Sequence, residues 1–424
     1  MKVTIIPSGL HGSVRAIESK SEVHRLLIGA ALADSPTEIL CKALSDDISA
    51  TAESLNRIGA DIHYEKKSGS FHVVPICRNS SGGNTGNRSC VPDVGESGST
   101  LRFLLPLICA LGVNAHIVMR GRLPERPLSP LWEELERHGC RLVRNDDGSI
   151  DTAGRLRGGE FRMAGNVSSQ FISGLLFVLP LLEDVPGIRL YGPVESEAYI
   201  RMTMRAMEQF GIRTVRDGDV LRVLSGSSYH SPGRLSPEGD WSCGAFWEIA
   251  GMLTKGGREG LVCTGLDEGS IQRDRAVREL KHRIAAGGAV VDARNIPDLV
   301  PVLSVLAAVS PGSTSFIHAE RLRLKESDRI RSTVRMLRAL GGTAEETVDG
   351  LIVYGKERLS GGCADSCNDH RIAMSAAVAS AACTGKVIIE GAEAVNKSYP
   401  QFWDDFERLG GKITREPSGH PENQ

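Results

Sequence analysis

Residues 207–224, MEQFGIRTVRDGDVLRVL, carry the pattern that organises the whole chain. An amphipathic run ends at Gly211, an extended run follows, Asp217-Gly218 supplies a turn, and a second extended run closes at Leu224. Glycine is the expected left-handed cap of such a helix, and Asp-Gly is a turn signal. The same succession returns in LNRIGADIHYEKKSGSFHVV (55–74) and LERHGCRLVRNDDGSI (135–150). Weaker copies are LKHRIAAGGAVVDA (280–293), LRALGGTAEETVDGLIVY (337–354) and FERLGGKI (406–413). Their leading glycines are Gly59, Gly139, Gly211, Gly287, Gly341 and Gly410.

Ahead of each copy stands a more apolar helix and then a short strand. These helices read RLLIGAALADS, LRFLLPLICALG, FISGLLFVLPLLED, AFWEIAGMLTKGG, LVPVLSVLAAVSPG and IAMSAAVASAACTG, from Arg25, Leu101, Phe171, Ala245, Leu299 and Ile372. Apolar around most of their circumference, they belong inside a shell of sheets and outer helices. The unit is therefore helix, strand, helix, two strands, repeated six times: an α/β fold. After the third copy comes the Ser/Gly/Pro-rich stretch SGSSYHSPGRLSPEGD (225–240), and before the first lies MKVTIIPSGLHGSVRAIES, which reads as a displaced strand pair. Two three-repeat domains are expected, one over 19–229 and one formed by 1–18 with 230–424. The chain would cross near Ser19 and Tyr229, at two hinges suited to closure on a ligand.

Bulk properties narrow the function. A formal charge of −2, with 24% charged and 41% hydrophobic residues, excludes a general nucleic-acid or membrane-surface binder, which needs a basic excess. The N-terminus has neither signal nor transit character, and no apolar stretch reaches the roughly 18 to 20 residues of a membrane span. Ten scattered cysteines read as reduced packing residues of a cytoplasmic protein. Cys363 and Cys367 lack a second pair at ligand spacing, so a zinc site is not expected.

Unusual residues gather at the starts of the apolar helices: SKSEVHR (19–25), GESGSTLR (95–102), GNVSSQF (165–171), GDWSCGAF (239–246), NIPDLV (295–300) and NDHRIA (368–373). Free backbone N–H groups and a positive dipole end make helix starts anion sites. Capping alone accounts for Ser99 or Asn295. It does not account for Lys20, Arg25, Arg102 and Arg371, because cations there oppose the dipole; a shared anionic ligand resolves the conflict. Further cations follow the short strands, in GRLPERP (Arg122, Arg126), LKESDR (Lys325, Arg329) and AVNKSYP (Lys397). No GxxxxGK[ST], GxGxxG or GxSxG motif occurs in the context that nucleotide binding or a nucleophile elbow requires.

Taken in order, SKSxxxR, GxSGSTxR, GNVSSQF, LKESDR, NDHR and NKSYPxFW resemble the 3-phosphoshikimate 1-carboxyvinyltransferase family of enolpyruvyl transferases from about Ser19 to Gly411. The resemblance implies a two-domain inside-out α/β barrel with three repeats per domain. It also implies transfer of the enolpyruvyl group of phosphoenolpyruvate to the 5-hydroxyl of shikimate 3-phosphate with release of phosphate, using no metal or organic cofactor, by a monomer with no nucleic-acid or membrane partner. By resemblance, Lys20, Ser21, Arg25, Ser168, Ser169, Gln170, Ser196, Asp298 and Lys325 hold shikimate 3-phosphate. Lys20, Gly98, Arg122, Gln170, Arg329, Arg371 and Lys397 hold phosphoenolpyruvate. Asp298, Glu326 and Lys20 are the catalytic set, and which of the carboxylates and lysines moves which proton stays open. Glu96 and Arg321 stand where many relatives carry Asn. A sister family acting on UDP-N-acetylglucosamine carries a Lys-Asn pair in place of Ser19-Lys20-Ser21 and a Cys or Asp in the loop that here reads GRLPERP. A non-catalytic scaffold would not need Lys20, Asp298, Glu326, Arg371 and Lys397 intact.

Overall fold

The computed structural model describes residues 1–77, 89–183, 187–254 and 260–417. Its α-helices are α1 (Lys20–Ala31), α2 (Asp46–Arg57), α3 (Gly98–Leu111), α4 (Leu131–Arg137), α5 (Ser169–Val178) and α6 (Glu197–Gln209). They continue with α7 (Trp241–Leu253), α8 (Val277–Ala286), α9 (Val300–Ala307), α10 (Arg329–Ala339), α11 (His370–Ala379) and α12 (Phe402–Arg408). Odd-numbered helices are the apolar ones and are buried along most of their length. The even-numbered ones keep a solvent face, as their mixed composition demands. No described helix is long and apolar enough to cross a membrane.

One sheet order recurs. Glu160–Ala164, ahead of α5, pairs parallel with Gly187–Tyr191 behind it; that strand pairs antiparallel with Val220–Val223, which closes a hairpin with Thr214–Asp217. The sheets built on Asn114–Ile117 and on Ser313–Ile317 repeat this order. All six repeat glycines have positive φ, from 82° at Gly211 to 113° at Gly59. Gly287 shows why: at φ 88° and ψ 159° a side chain is strained, and a Cβ would lie 2.5 Å from the Pro311 carbonyl oxygen.

The departures from the expected pattern have identifiable causes. In the second copy Ile150 opens the closing strand, Ile150–Gly154, instead of ending it. The fourth copy has no hairpin. Its extended run, Val290–Asp292, pairs parallel with Ser313–Ile317 and so belongs to the next sheet, because the chain turns from Ala293 straight toward α9. The N-terminal strands are not a pair. Lys2–Ile6 lies between Val387–Glu390 and Lys412–Glu416, antiparallel to both, whereas Gly12–Arg15 runs parallel to Leu261–Thr264.

The chain divides into two compact units, Glu18–Glu238 and a composite of Met1–Ile17 with Gly239–Gln424. The later crossing therefore follows Glu238, not Tyr229. Tyr229 is buried and donates its hydroxyl hydrogen to the Phe177 carbonyl at 2.8 Å, and Arg234–Leu235 then add the parallel strand that Thr37–Leu40 lacks. Each unit has its own apolar core. In the composite, Trp247 stacks on Phe402 with centroids 5.1 Å apart. In the other unit, Phe103 meets Phe177 edge to face at 5.9 Å.

Candidate active-site residues

In the Glu18–Glu238 unit the starts of α3 and α5 are tied together by one amide. The Gln170 Oε1 accepts from Arg102 Nη1 at 2.9 Å, and its Nε2 donates to Ser99 Oγ at 2.9 Å. Ser168 caps α5 by accepting from the Gln170 N–H at 3.3 Å. The cap of α3 is Ser97, not Ser99, which leaves Ser99 for Gln170. Arg102 is 4% exposed and lies 5.6 Å from the Phe171 ring centroid. Gly98 sits under two guanidinium groups: a Cβ there would be 2.5 Å from Arg102 Nη1 and 2.8 Å from Arg126 Nη1. The loop cation at this helix start is thus the buried Arg126. Arg122, expected in that place, is 46% exposed and faces Glu125 at 3.6 Å.

Around α1 and α6 the buried Arg25 acts as a brace. It donates to Thr203 Oγ1 at 2.8 Å, to the Tyr199 carbonyl at 3.1 Å and to the Ser21 carbonyl, and its guanidinium lies 5.0 Å from the Phe103 ring centroid. Burial lowers its pKa to about 10, still far above neutrality. Lys20 reaches Asp47 of α2, Nζ to Oδ2 2.5 Å. Ser169 and Ser196 are buried at the starts of α5 and α6, and Ser196 holds φ at 55°, an uncommon position for a residue with a side chain.

In the composite unit three carboxylates converge on one guanidinium. Arg329, 1% exposed, donates from Nε to Asp369 Oδ2 at 2.9 Å, from Nη1 to Asp298 Oδ1 at 2.8 Å and from Nη2 to Glu326 Oε2 at 2.5 Å. Asp369 also caps α11 through the Arg371 N–H at 2.9 Å. Asp298 lies before α9, whose N-cap is Leu299, and its carboxylate does not cap that helix. Instead it takes a second guanidinium, Arg371 Nη2, at 3.3 Å. Burial opposes ionisation of Asp298, but Arg371, Lys325 and Arg329 together outweigh it and hold the carboxyl well below the usual range. Arg371 is 3% exposed, and its Nε and Nη1 are buried with no hydrogen-bond partner. Burial lowers Lys325 to about 8, against the pull of Asp298. Lys397 Nζ donates to the Asn368 carbonyl at 2.7 Å.

A buried guanidinium with two unmatched nitrogens is an arrangement for binding an anion. A family model described as EPSP synthase (3-phosphoshikimate 1-carboxyvinyltransferase) matches residues 5–406. The chain belongs to the EPSP synthase family. Its similarity to the 3-phosphoshikimate 1-carboxyvinyltransferase of Clostridium perfringens (strain SM101 / Type A) is 39% identity over 434 residues, covering 98% of this chain and 100% of the relative. The Clostridium kluyveri protein of the same name is 39% identical over 433 residues, covering 97% and 98%. Among solved structures, EPSP synthase from Acinetobacter baumannii matches with a TM-score of 0.76 at 21% identity, over 98% of this chain and 100% of that one. The enolpyruvyl transferase NikO from Streptomyces tendae matches at 0.74 with 19% identity, over 97% and 98%. At those identities the two structures speak for a shared α/β fold.

Sequence reasoning passed over several residues of this EPSP synthase family member. Asp369 stood inside the quoted NDHR and read only as a helix start, yet besides capping α11 it binds the Arg329 guanidinium. Asp47 is visible in sequence only as an acidic first-turn residue of α2. Asp274, in SIQRDRA, carried no signal at all.

Proposed function

We propose that this chain transfers the carboxyvinyl group of phosphoenolpyruvate to the 5-hydroxyl of shikimate 3-phosphate, releasing phosphate, in the route to chorismate and aromatic amino acids. Family membership supports the activity, and one observation carries the assignment to residues: Arg371, buried, with Nε and Nη1 lacking acceptors beside Asp298. Buried N–H donors without acceptors on a guanidinium call for an anionic oxygen on each open side of the group.

Ser21, Ser168, Ser169 and Ser196 take the acceptor's phosphate, with Arg25 bracing the helices that present them, and Lys325 and Gln170 complete the set. Lys20, Gln170, Arg329, Arg371 and Lys397 take phosphoenolpyruvate, with Gly98 admitting Arg102 and Arg126 to the helix start. Arg126 replaces Arg122 in this proposal on grounds of burial. Asp298, ionised at neutral pH, accepts the hydroxyl proton. Lys325, charged below about pH 8, supplies a proton to the methylene carbon. Addition gives a tetrahedral adduct, and loss of phosphate with one methyl proton restores the double bond. Glu326 spends its carboxylate on Arg329 and fixes that guanidinium. The chain acts as a cytoplasmic monomer.

Phosphate release from phosphoenolpyruvate, with and without shikimate 3-phosphate, tests the reading. Release should need the acceptor and should fall at least a hundredfold in Arg371→Ala. Acceptor-independent release, or none with either substrate, overturns it.

A further inference from the structure

Asp274 lies in the composite unit at Arg273–Ala276, 2% exposed, and has no part in the residue roles above. The Ser242 hydroxyl, in the first turn of α7, donates to its Oδ2. Its Oδ1 is buried with no hydrogen-bond partner. Asp298, by contrast, accepts from two guanidinium groups. The bonding inventory thus separates two neighbouring carboxyls. One has the donors that sustain a charge, and the other has a single neutral hydroxyl and an oxygen with no donor. An ionised carboxylate with a bare buried oxygen is strongly disfavoured.

The surroundings agree. The Arg371 guanidinium lies 5.8 Å from the ring centroid of Phe246, one turn beyond Ser242 on α7, so Asp274 and Arg371 border the same start of that helix. Asp298 and Asp240 oppose ionisation of Asp274, and Arg371 favours it. On α8, packed against the same segment, Arg278 is committed to Glu248 and Glu268, and Lys281 to Glu248. Burial is the largest influence, and the repulsion of Asp298 adds to it. Together they outweigh Ser242 and Arg371 and raise Asp274 to about 7. Below that pH Asp274 is a neutral acid; above it, it adds a negative charge beside Arg371.

We propose that Asp274 is a positioning residue of the anion site, a carboxylic acid kept neutral so that the charge of Arg371 remains available to an anionic substrate. The proposal rests on the assignment of Arg371 to phosphoenolpyruvate. Ionisation of Asp274 opposes anion binding, and phosphoenolpyruvate binding in turn favours its protonated form, by linkage. Asparagine mimics the neutral acid at every pH.

The test is the phosphoenolpyruvate dissociation constant, with shikimate 3-phosphate saturating, for the parent chain and Asp274→Asn from pH 6 to 8.5. Lys325 and the substrate phosphate titrate in both proteins, so the parent-to-variant ratio isolates Asp274. That ratio should be near one at pH 6 and rise to about tenfold at pH 8.5, the scale for one charge at intermediate distance in a partly polarisable interior. A ratio that does not change with pH overturns the proposal. If the variant fails to fold, infrared titration of the parent decides: a buried protonated-carboxyl band lost near pH 7 supports it, and no such band at pH 6 overturns it. Arg371→Lys separates the two readings. Unchanged phosphoenolpyruvate affinity in that variant refutes the assignment of Arg371 itself, whatever Asp274 does.

Discussion

Gly98→Ala tests whether the two guanidinium groups over the start of α3 belong to an anion site. The added Cβ would stand 2.5 Å from Arg102 Nη1 and 2.8 Å from Arg126 Nη1. To restore ordinary contact near 3.4 Å, the groups must withdraw by roughly 0.9 and 0.6 Å. Both obstacles are the far ends of flexible side chains, so the fold yields little. Alanine also recovers a few tenths of a kcal/mol of helix propensity at this first helical position, about half of the usual interior gain. Folding stability should therefore change by less than about 1 kcal/mol. The binding site does not escape so lightly. Arg102, 2.9 Å from Gln170, is pushed off the helix start by a shift of this size, while Gln170 keeps its bond to Ser99. Withdrawing one guanidinium donor from the anion costs about 1.5–3 kcal/mol, or about ten- to a hundredfold in phosphoenolpyruvate affinity. The assay is the KM for phosphoenolpyruvate at saturating shikimate 3-phosphate, read beside thermal unfolding on the same sample. A normal KM with normal Tm refutes the placement of the anion at Gly98. A collapse of Tm refutes the claim that only side-chain ends are displaced.

Asp298→Asn should lower turnover about a hundredfold or more if Asp298 accepts the hydroxyl proton. It should also cost about 1–2 kcal/mol in chemical denaturation, since the amide turns an NH2 toward one of its two arginines; near-normal turnover removes it from the chemistry. In parallel alanine variants, Arg126→Ala should raise the phosphoenolpyruvate KM at least tenfold and Arg122→Ala less than threefold, and the reverse order would restore Arg122 to the site. Because burial sets Lys325 near 8, its charge is present below that pH and lost above it, so shikimate 3-phosphate affinity should fall as pH rises from 7 to 9.5; calorimetry showing a flat profile would dismiss that role. Gly287→Ala should destabilise the chain by about 2 kcal/mol or more through its backbone strain and the Pro311 carbonyl, measured by denaturant midpoint, while leaving the KM values alone.

The repeat was legible because each copy obeys local physics. A left-handed glycine, an Asp-Gly turn and an all-round apolar helix each announce themselves within a short window. What local patterns could not announce was strand exchange. Nothing in Arg234–Leu235 says that it will lie beside Thr37–Leu40, and the pairing of Lys2–Ile6 with Lys412–Glu416 is set by the vacancy each copy leaves. The site divides the same way. Cations at helix starts conflict with the helix dipole and so stand out in sequence. Carboxylates there look like ordinary caps, and Asp369 was hidden by being a cap as well as a partner of Arg329. Arg122 and Arg126 share one loop, and only burial separates the solvated one from the one packed against Gly98.

The placement of Lys2–Ile6 inside the last sheet also sets an order of assembly. The Glu18–Glu238 unit closes on residues made in one continuous stretch, and its final strand, Arg234–Leu235, is in hand before the rest of the composite exists. The strand Lys2–Ile6, made ahead of both units' remaining residues, must wait for Val387–Glu390 and Lys412–Glu416 before its backbone groups find partners. During that wait it is an unpaired apolar segment, open to chaperones, proteases or the edge of another copy. Joining its end to the far side of Glu416 by a short linker, and opening the chain just after Leu235, would make the composite unit contiguous, keep Arg234–Leu235 with its own unit and remove the delay.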